Sequence, residues 1–265
     1  MVAAPSRSDS SSSSSFEEVI REGCLRECLV TATGKGVRIG ILDSGVDSRH
    51  PILEGRVVGN YEVIEDRLGE PGVVNLEHGY DVMDHGTANA YIIRQHAPDA
   101  ELHSIRVIDP THNSTSLKFV TALEFALEQG WDILNLSLGT DSRYAEIARL
   151  ADLAYYQNML WVAAKHNERD KIGYPAALSS VVGVGMDYFE SFEEFRYYPD
   201  RVIEVEASGV YIEAPRANGG WQQYTGTSFA CPQITGMVAQ LRECFPDLTP
   251  FQLKTALLAL RQNRD

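Results

Sequence analysis

What this 265-residue chain lacks narrows its reading before any motif does. No run of eighteen apolar residues occurs, so nothing has the length and hydropathy of a membrane-spanning helix. The first fifteen residues hold a serine run and no apolar signal core, which favours a cytoplasmic location. A serine run buries nothing, so residues 1–15 are expected to be a disordered tail, followed by a single domain over 16–265. Cysteine is scarce. Cys24, Cys28, Cys231 and Cys244 contain no CxxC pair and are too few for a disulfide scaffold; they are expected as four free thiols acting as small hydrophobes. Positive charge is short: 23 Lys and Arg stand against 37 Asp and Glu, a net charge of −14. Such a surface repels nucleic acid and anionic membranes and favours neutral or basic partners. A dinucleotide-binding GxGxxG is absent, and no internal repeat or domain break is visible.

What is present suits a globular protein with a sizeable core, since 44% of residues are hydrophobic and 23% charged. Short β-rich runs lie at Val37–Leu42, Glu101–Val107, Ile133–Leu136, Leu160–Ala164 and Val181–Val184. Helix-like periodicity falls between them at Ala88–Gln95, Leu117–Glu128 and Tyr144–Gln157, and ahead of them at Phe16–Val30. This alternation predicts an α/β fold with a mostly parallel central sheet and helices on both faces. Two further strands are expected at Val202–Glu206 and Val210–Ala214, then helices at Ser228–Cys244 and Thr249–Arg261. The aromatic and acidic stretch Asp187–Pro199 reads as an irregular excursion.

In open α/β sheets, function gathers at the carboxyl ends of the strands. The first strand ends in Asp43-Ser44-Gly45, a helix pattern follows Asp84-His85-Gly86-Thr87, and a glycine-flanked serine opens another helix at Gly226-Thr227-Ser228. Each has an ordinary structural reading when taken alone: a turn acid, a helix-start histidine, an N-cap serine. A serine at a helix N-terminus also places its hydroxyl where the helix field stabilises an oxyanion. Pro232 is expected within the first turn of that helix, where its missing N–H costs nothing.

Together, in the order Asp, His, Ser, these pieces resemble the subtilisin-like serine proteases. The stretches that carry the resemblance are Ile41–Asp47, His85-Gly-Thr87, Asn135–Gly139, Trp161–Asn167, Gly173–Ala176 and Gly226–Pro232, over roughly residues 34–261. The resemblance implies a serine endopeptidase with Ser228 as nucleophile, His85 as general base and acid, and Asp43 orienting His85. It implies Asn167 in the oxyanion hole, and Ser137, Leu138 and Gly139 as the strand along which a polypeptide substrate pairs. No cofactor and no metal are expected. The helix after His85 leaves no room for the calcium loop found in many relatives.

Departures from the family pattern are specific. Lys165 and His166 stand where Ala-Gly usually precedes the oxyanion asparagine, which raises the question whether the backbone there needs glycine. Ala88-Asn89-Ala90-Tyr91 follows His85-Gly-Thr in place of the usual His-Val-Ala-Gly, and Phe229 stands where methionine is common. The roughly 35 residues ahead of the matching region are too few for the family's folded inhibitory prodomain. These departures motivate one alternative, a catalytically silent subtilisin-like module that only binds peptides. An α/β-hydrolase esterase is excluded by the missing GxSxG elbow and the wrong residue order. Glu168 and Asp170 suggest a preference for Arg or Lys before the cut.

Overall fold

The computed structural model describes residues 16–261 apart from Arg21, Glu54, residues 112–113 and Arg169. The tail expected over residues 1–15 lies outside the described residues. The elements in chain order are α1 (Phe16–Val19), α2 (Glu22–Thr31), β1 (Arg38–Asp43), β2 (Val57–Glu65), β3 (Pro71–Asn75), α3 (His85–His96), β4 (Glu101–Arg106), α4 (Ser116–Gln129) and β5 (Ile133–Leu136). They continue as α5 (Ala145–Tyr156), β6 (Leu160–Ala164), β7 (Val181–Asp187), β8 (Phe195–Tyr197), β9 (Val205–Ser208), β10 (Ile212–Pro215), β11 (Trp221–Tyr224), α6 (Thr227–Cys244) and α7 (Pro250–Leu260).

Nine strands form one sheet in the order β3-β2-β4-β1-β5-β6-β7-β9-β8. All neighbours pair in parallel except the two outermost strands, β3 and β8, which are antiparallel to β2 and β9. The expected α/β architecture is therefore present. Successive side chains of a strand face opposite sides, and the core divides accordingly. Ile39, Ile41, Ile133, Val162 and Val182 pack under α2, α3, α6 and α7, whereas Leu42, Leu134, Leu136, Trp161 and Ala163 pack under α4 and α5. Because helices cover both faces, β5 and β6 are apolar almost without interruption. β10 and β11 form a separate antiparallel hairpin that leads directly into α6.

Several expectations are corrected. The sequence reading has no strands at β2, β3 or β11, and β8 lies inside the stretch read as an irregular excursion. The last parallel strand begins at Val205, three residues beyond the expected start. The helix expected over Phe16–Val30 is two helices, of which α2 buries Leu25 and Cys28. Cys28 and Cys244 form a disulfide across 216 positions, with Cα atoms 6.3 Å apart, because α2 lies along α6. Only Cys24 and Cys231 are free thiols among the described residues.

Pro232 is not in the first turn of α6 but in its interior. At that position a proline removes the N–H that would bond the carbonyl four residues earlier, which is Ser228. The Ser137 hydroxyl supplies the missing donor, at 2.9 Å from the Ser228 carbonyl oxygen. Ser137 is held in turn by Asn135 Nδ2, 2.9 Å from its oxygen. A break in the helix ladder is thus repaired by the segment that follows β5.

Candidate active site

The site assembles at the carboxyl ends of β1, β5 and β6. Asp43 is the last residue of β1 and is fully buried. Its Oδ1 accepts from the Ser44 backbone N–H at 2.7 Å and lies 2.6 Å from His85 Nδ1. Its Oδ2 accepts from Asn89 Nδ2 at 2.9 Å. Burial works to raise the Asp43 pKa, but the charge of His85 and the hydrogen bonds from His85, Ser44 and Asn89 outweigh it and hold it below the usual value. For His85, burial pushes the pKa down, and the charge and hydrogen bond of Asp43, with the charge of Asp81, carry it above 6.5. With Nδ1 engaged by a carboxylate, the neutral ring keeps its proton there and leaves Nε2 basic.

His85 opens α3, and the start of that helix is fixed from outside. Asp81 Oδ2 accepts from the Thr87 N–H at 2.8 Å, while its Oδ1 accepts from the Ser44 hydroxyl at 2.7 Å. The Ser44 oxygen accepts from the Gly86 N–H at 3.1 Å. Two otherwise unpaired amides of the first turn are thereby satisfied. Asp84, the residue before His85, is in the left-handed region at φ 64°. Its carboxylate accepts from Arg216 Nε and the Ala217 N–H, both at 2.9 Å, which ties the loop after β10 to the start of α3.

Ser228 is the second residue of α6 and partly exposed. Its neighbour Phe229 sets its ring edge-on to His85, 5.1 Å between centroids, so the start of α6 lies against the histidine. Phe229 also contacts Tyr224, and Tyr91 packs edge-on against Trp221, so the large departure residues of α3 and α6 make one cluster with the β10–β11 hairpin. The Asn167 amide oxygen accepts from the Thr227 N–H at 2.9 Å and the Thr227 hydroxyl at 3.1 Å, which orients its Nδ2 away from Thr227. His166 is not among the residues with positive φ, so the segment before Asn167 needs no glycine.

Ser137, Leu138, Gly139, Asn167 and Ser228, all expected at the site, line one cavity of about 160 Å³ together with Thr140, Lys165, His166 and Tyr174. Gly139 is required there, since a Cβ would stand 2.5 Å from the Tyr174 carbonyl oxygen. Glu168 does not line this cavity; its carboxylate pairs with Lys171 at 3.0 Å. Cys231, one turn beyond Ser228, is no rival nucleophile, because burial pushes its thiol up to about 12. Sequence reasoning missed Asp81 and Asn89, which stand four residues to either side of His85. The i, i+4 spacing of His85 and Asn89 on α3 was the available signal for the second.

Residues 34–263 match the sequence model of the Subtilase family. The chain belongs to the subtilase family. It is 26% identical over 220 residues to an intracellular serine protease of Paenibacillus polymyxa, covering 79% of this chain and 68% of that protein. It is 28% identical over 232 residues to subtilisin E of Bacillus subtilis (strain 168), covering 85% of this chain but only 60% of that protein. The major intracellular serine protease of the same strain is 28% identical over 221 residues, covering 79% of this chain and 69% of that protein. Among solved structures, sphericase superposes with a TM-score of 0.72 at 25% identity, covering 88% of this chain and 87% of sphericase. The S41 psychrophilic protease superposes equally well at 22% identity, over the same shares of the two chains. The fold and kinship of this subtilase are those of a serine endopeptidase. Among the described residues no helix is long and apolar enough to cross a membrane.

Proposed function

We propose that this subtilase hydrolyses peptide bonds through Ser228, His85 and Asp43. The observation that carries the reading is the buried Asp43 carboxylate 2.6 Å from His85 Nδ1, beside the helix whose second residue is Ser228. A peptide would pair as an added strand along Ser137–Gly139, with the side chain before the cut in the 160 Å³ cavity. His85 Nε2 would take the Ser228 proton as Oγ attacks the carbonyl carbon, then give it to the leaving amine. The tetrahedral oxygen would be met by Asn167 Nδ2 and the Ser228 N–H, donors placed before charge develops. Water would then attack the acyl-enzyme, with His85 again as base, and release the acid. Asp43 stays ionised throughout and favours the imidazolium that forms.

A fluorogenic peptide library tests the reading: wild type is expected to cleave it and Ser228→Ala to leave it intact. Ordinary turnover by Ser228→Ala would end it.

We also infer a cytoplasmic location, since two of the relatives above are named intracellular serine proteases. The Cys28–Cys244 bond favours an oxidising compartment instead. Fractionation of the source cells, with thiol alkylation before lysis, separates the two.

A further inference from the structure

Asn89 is fully buried on α3, one turn after His85, with Ala88, Ala90, Ile92 and Ile93 as buried neighbours on the same helix. Its amide oxygen has no hydrogen-bond partner. An unpaired buried carbonyl is destabilising, and asparagine is a poor helix former, so neither packing nor propensity accounts for this side chain. Its other end does. Nδ2 lies 2.9 Å from Asp43 Oδ2 and 3.3 Å from His85 Nδ1. The reverse orientation would set the amide oxygen against a carboxylate, so the donor faces Asp43.

The two oxygens of Asp43 are therefore held separately. Oδ1 takes the Ser44 N–H and His85, and Oδ2 takes Asn89. We propose that Asn89 is a positioning residue of the triad, whose Nδ2 fixes the rotation of the Asp43 carboxylate and keeps Oδ1 aimed at His85 Nδ1. This rests on the triad reading above and deepens it. Without the amide, Oδ2 of the fully buried Asp43 loses its donor and the carboxylate can turn. His85 is then held less firmly in its working tautomer, so kcat falls. A carboxylate that turns away from Nδ1 also favours the imidazolium less, so the histidine titrates lower. The other charge acting on His85 is Asp81 in the segment before α3; Asp84, the preceding residue, is paired with Arg216 from the loop after β10, and Tyr224 on β11 packs on Phe229, which lies against His85. None of them is altered by a change at Asn89.

The test uses the full chain with Asn89→Val, and with Asn89→Ala, which adds no bulk should valine not fold. Peptide hydrolysis is followed as kcat and KM across pH, and the wild type is labelled with a fluorophosphonate. Loss of one hydrogen bond to a buried charge is expected to lower kcat by about ten-fold, leave KM within about two-fold, and move the acid limb down by roughly half a unit. A folded variant with wild-type kcat and an unmoved acid limb overturns the positioning role while the triad reading stands. A wild type that neither cleaves nor takes the label overturns both.

Discussion

The hydroxyl of Ser137 does two jobs in one place, and removing it should reveal a coupling with Pro232. The side chain is 4% exposed and stands 2.9 Å from both Asn135 Nδ2 and the Ser228 carbonyl oxygen. Ser137→Ala leaves a buried donor and a part-buried acceptor unpaired. At about 1–3 kcal/mol for each such group, partly relieved by relaxation, the loss should be roughly 2–4 kcal/mol. Pro232→Ala restores an N–H at position 232, which in a helix points at the carbonyl of Ser228. In that background only the Asn135 donor is orphaned, and the loss from Ser137→Ala should shrink by about 1–2 kcal/mol. The measurement is equilibrium unfolding in guanidinium for both single variants and the double. All are made on Ser228→Ala, so that self-digestion does not interfere; the carbonyl at position 228 belongs to the backbone and survives that change. Losses that add to within about 0.3–0.5 kcal/mol would refute the repair, since independent sites are additive at that level.

Further predictions follow from the same geometry. Catalysis needs neutral His85, whose folded-state pKa is raised, so the acid limb of kcat/KM should lie above 6.5; a limb below about pH 6 would show that Asp43 does not act on it. The His85 contribution to stability has the matching sign: it is complete below the unfolded value and fades as pH rises through the raised folded value, which a titration of the unfolding free energy would show. Asn167→Ala should lower kcat about 10²–10³-fold with little change in KM; a rise in KM alone would mean the amide only binds substrate. Cys28→Ser should reduce stability by roughly 2–5 kcal/mol, as expected for opening a loop of 216 positions, while kcat stays unchanged.

The parts of the fold legible in the sequence are those whose chemistry is local. β5 and β6 are fully buried from end to end, so their apolar runs mark both boundaries. β2 mixes buried and exposed positions around Gly59 and Asn60, and β11 has no buried residue, so neither shows an apolar run. β8 is three residues long and is a strand only because β9 supplies its partner. The Cys28–Cys244 pair depends on α2 reaching α6 and has no local signature. At the site, each expected residue sits in a compact motif, and the structure brings all of them to the strand ends. Asn89 was visible only as a departure within the helix, because its meaning depends on Asp43, 46 positions away. Pro232 was misplaced for a similar reason: its compensation comes from Ser137, on another element.

The proposed chemistry stands on Ser228 as a nucleophile activated by His85 and Asp43. A fluorophosphonate, which reacts with an activated serine and not with an ordinary hydroxyl, tests it most directly when the adduct is mapped by mass spectrometry. One adduct per chain is expected, on the peptide containing Ser228, lost on unfolding and strongly slowed in His85→Ala. A folded wild type that takes no label, or one that is labelled at another residue and loses its activity there, would contradict it.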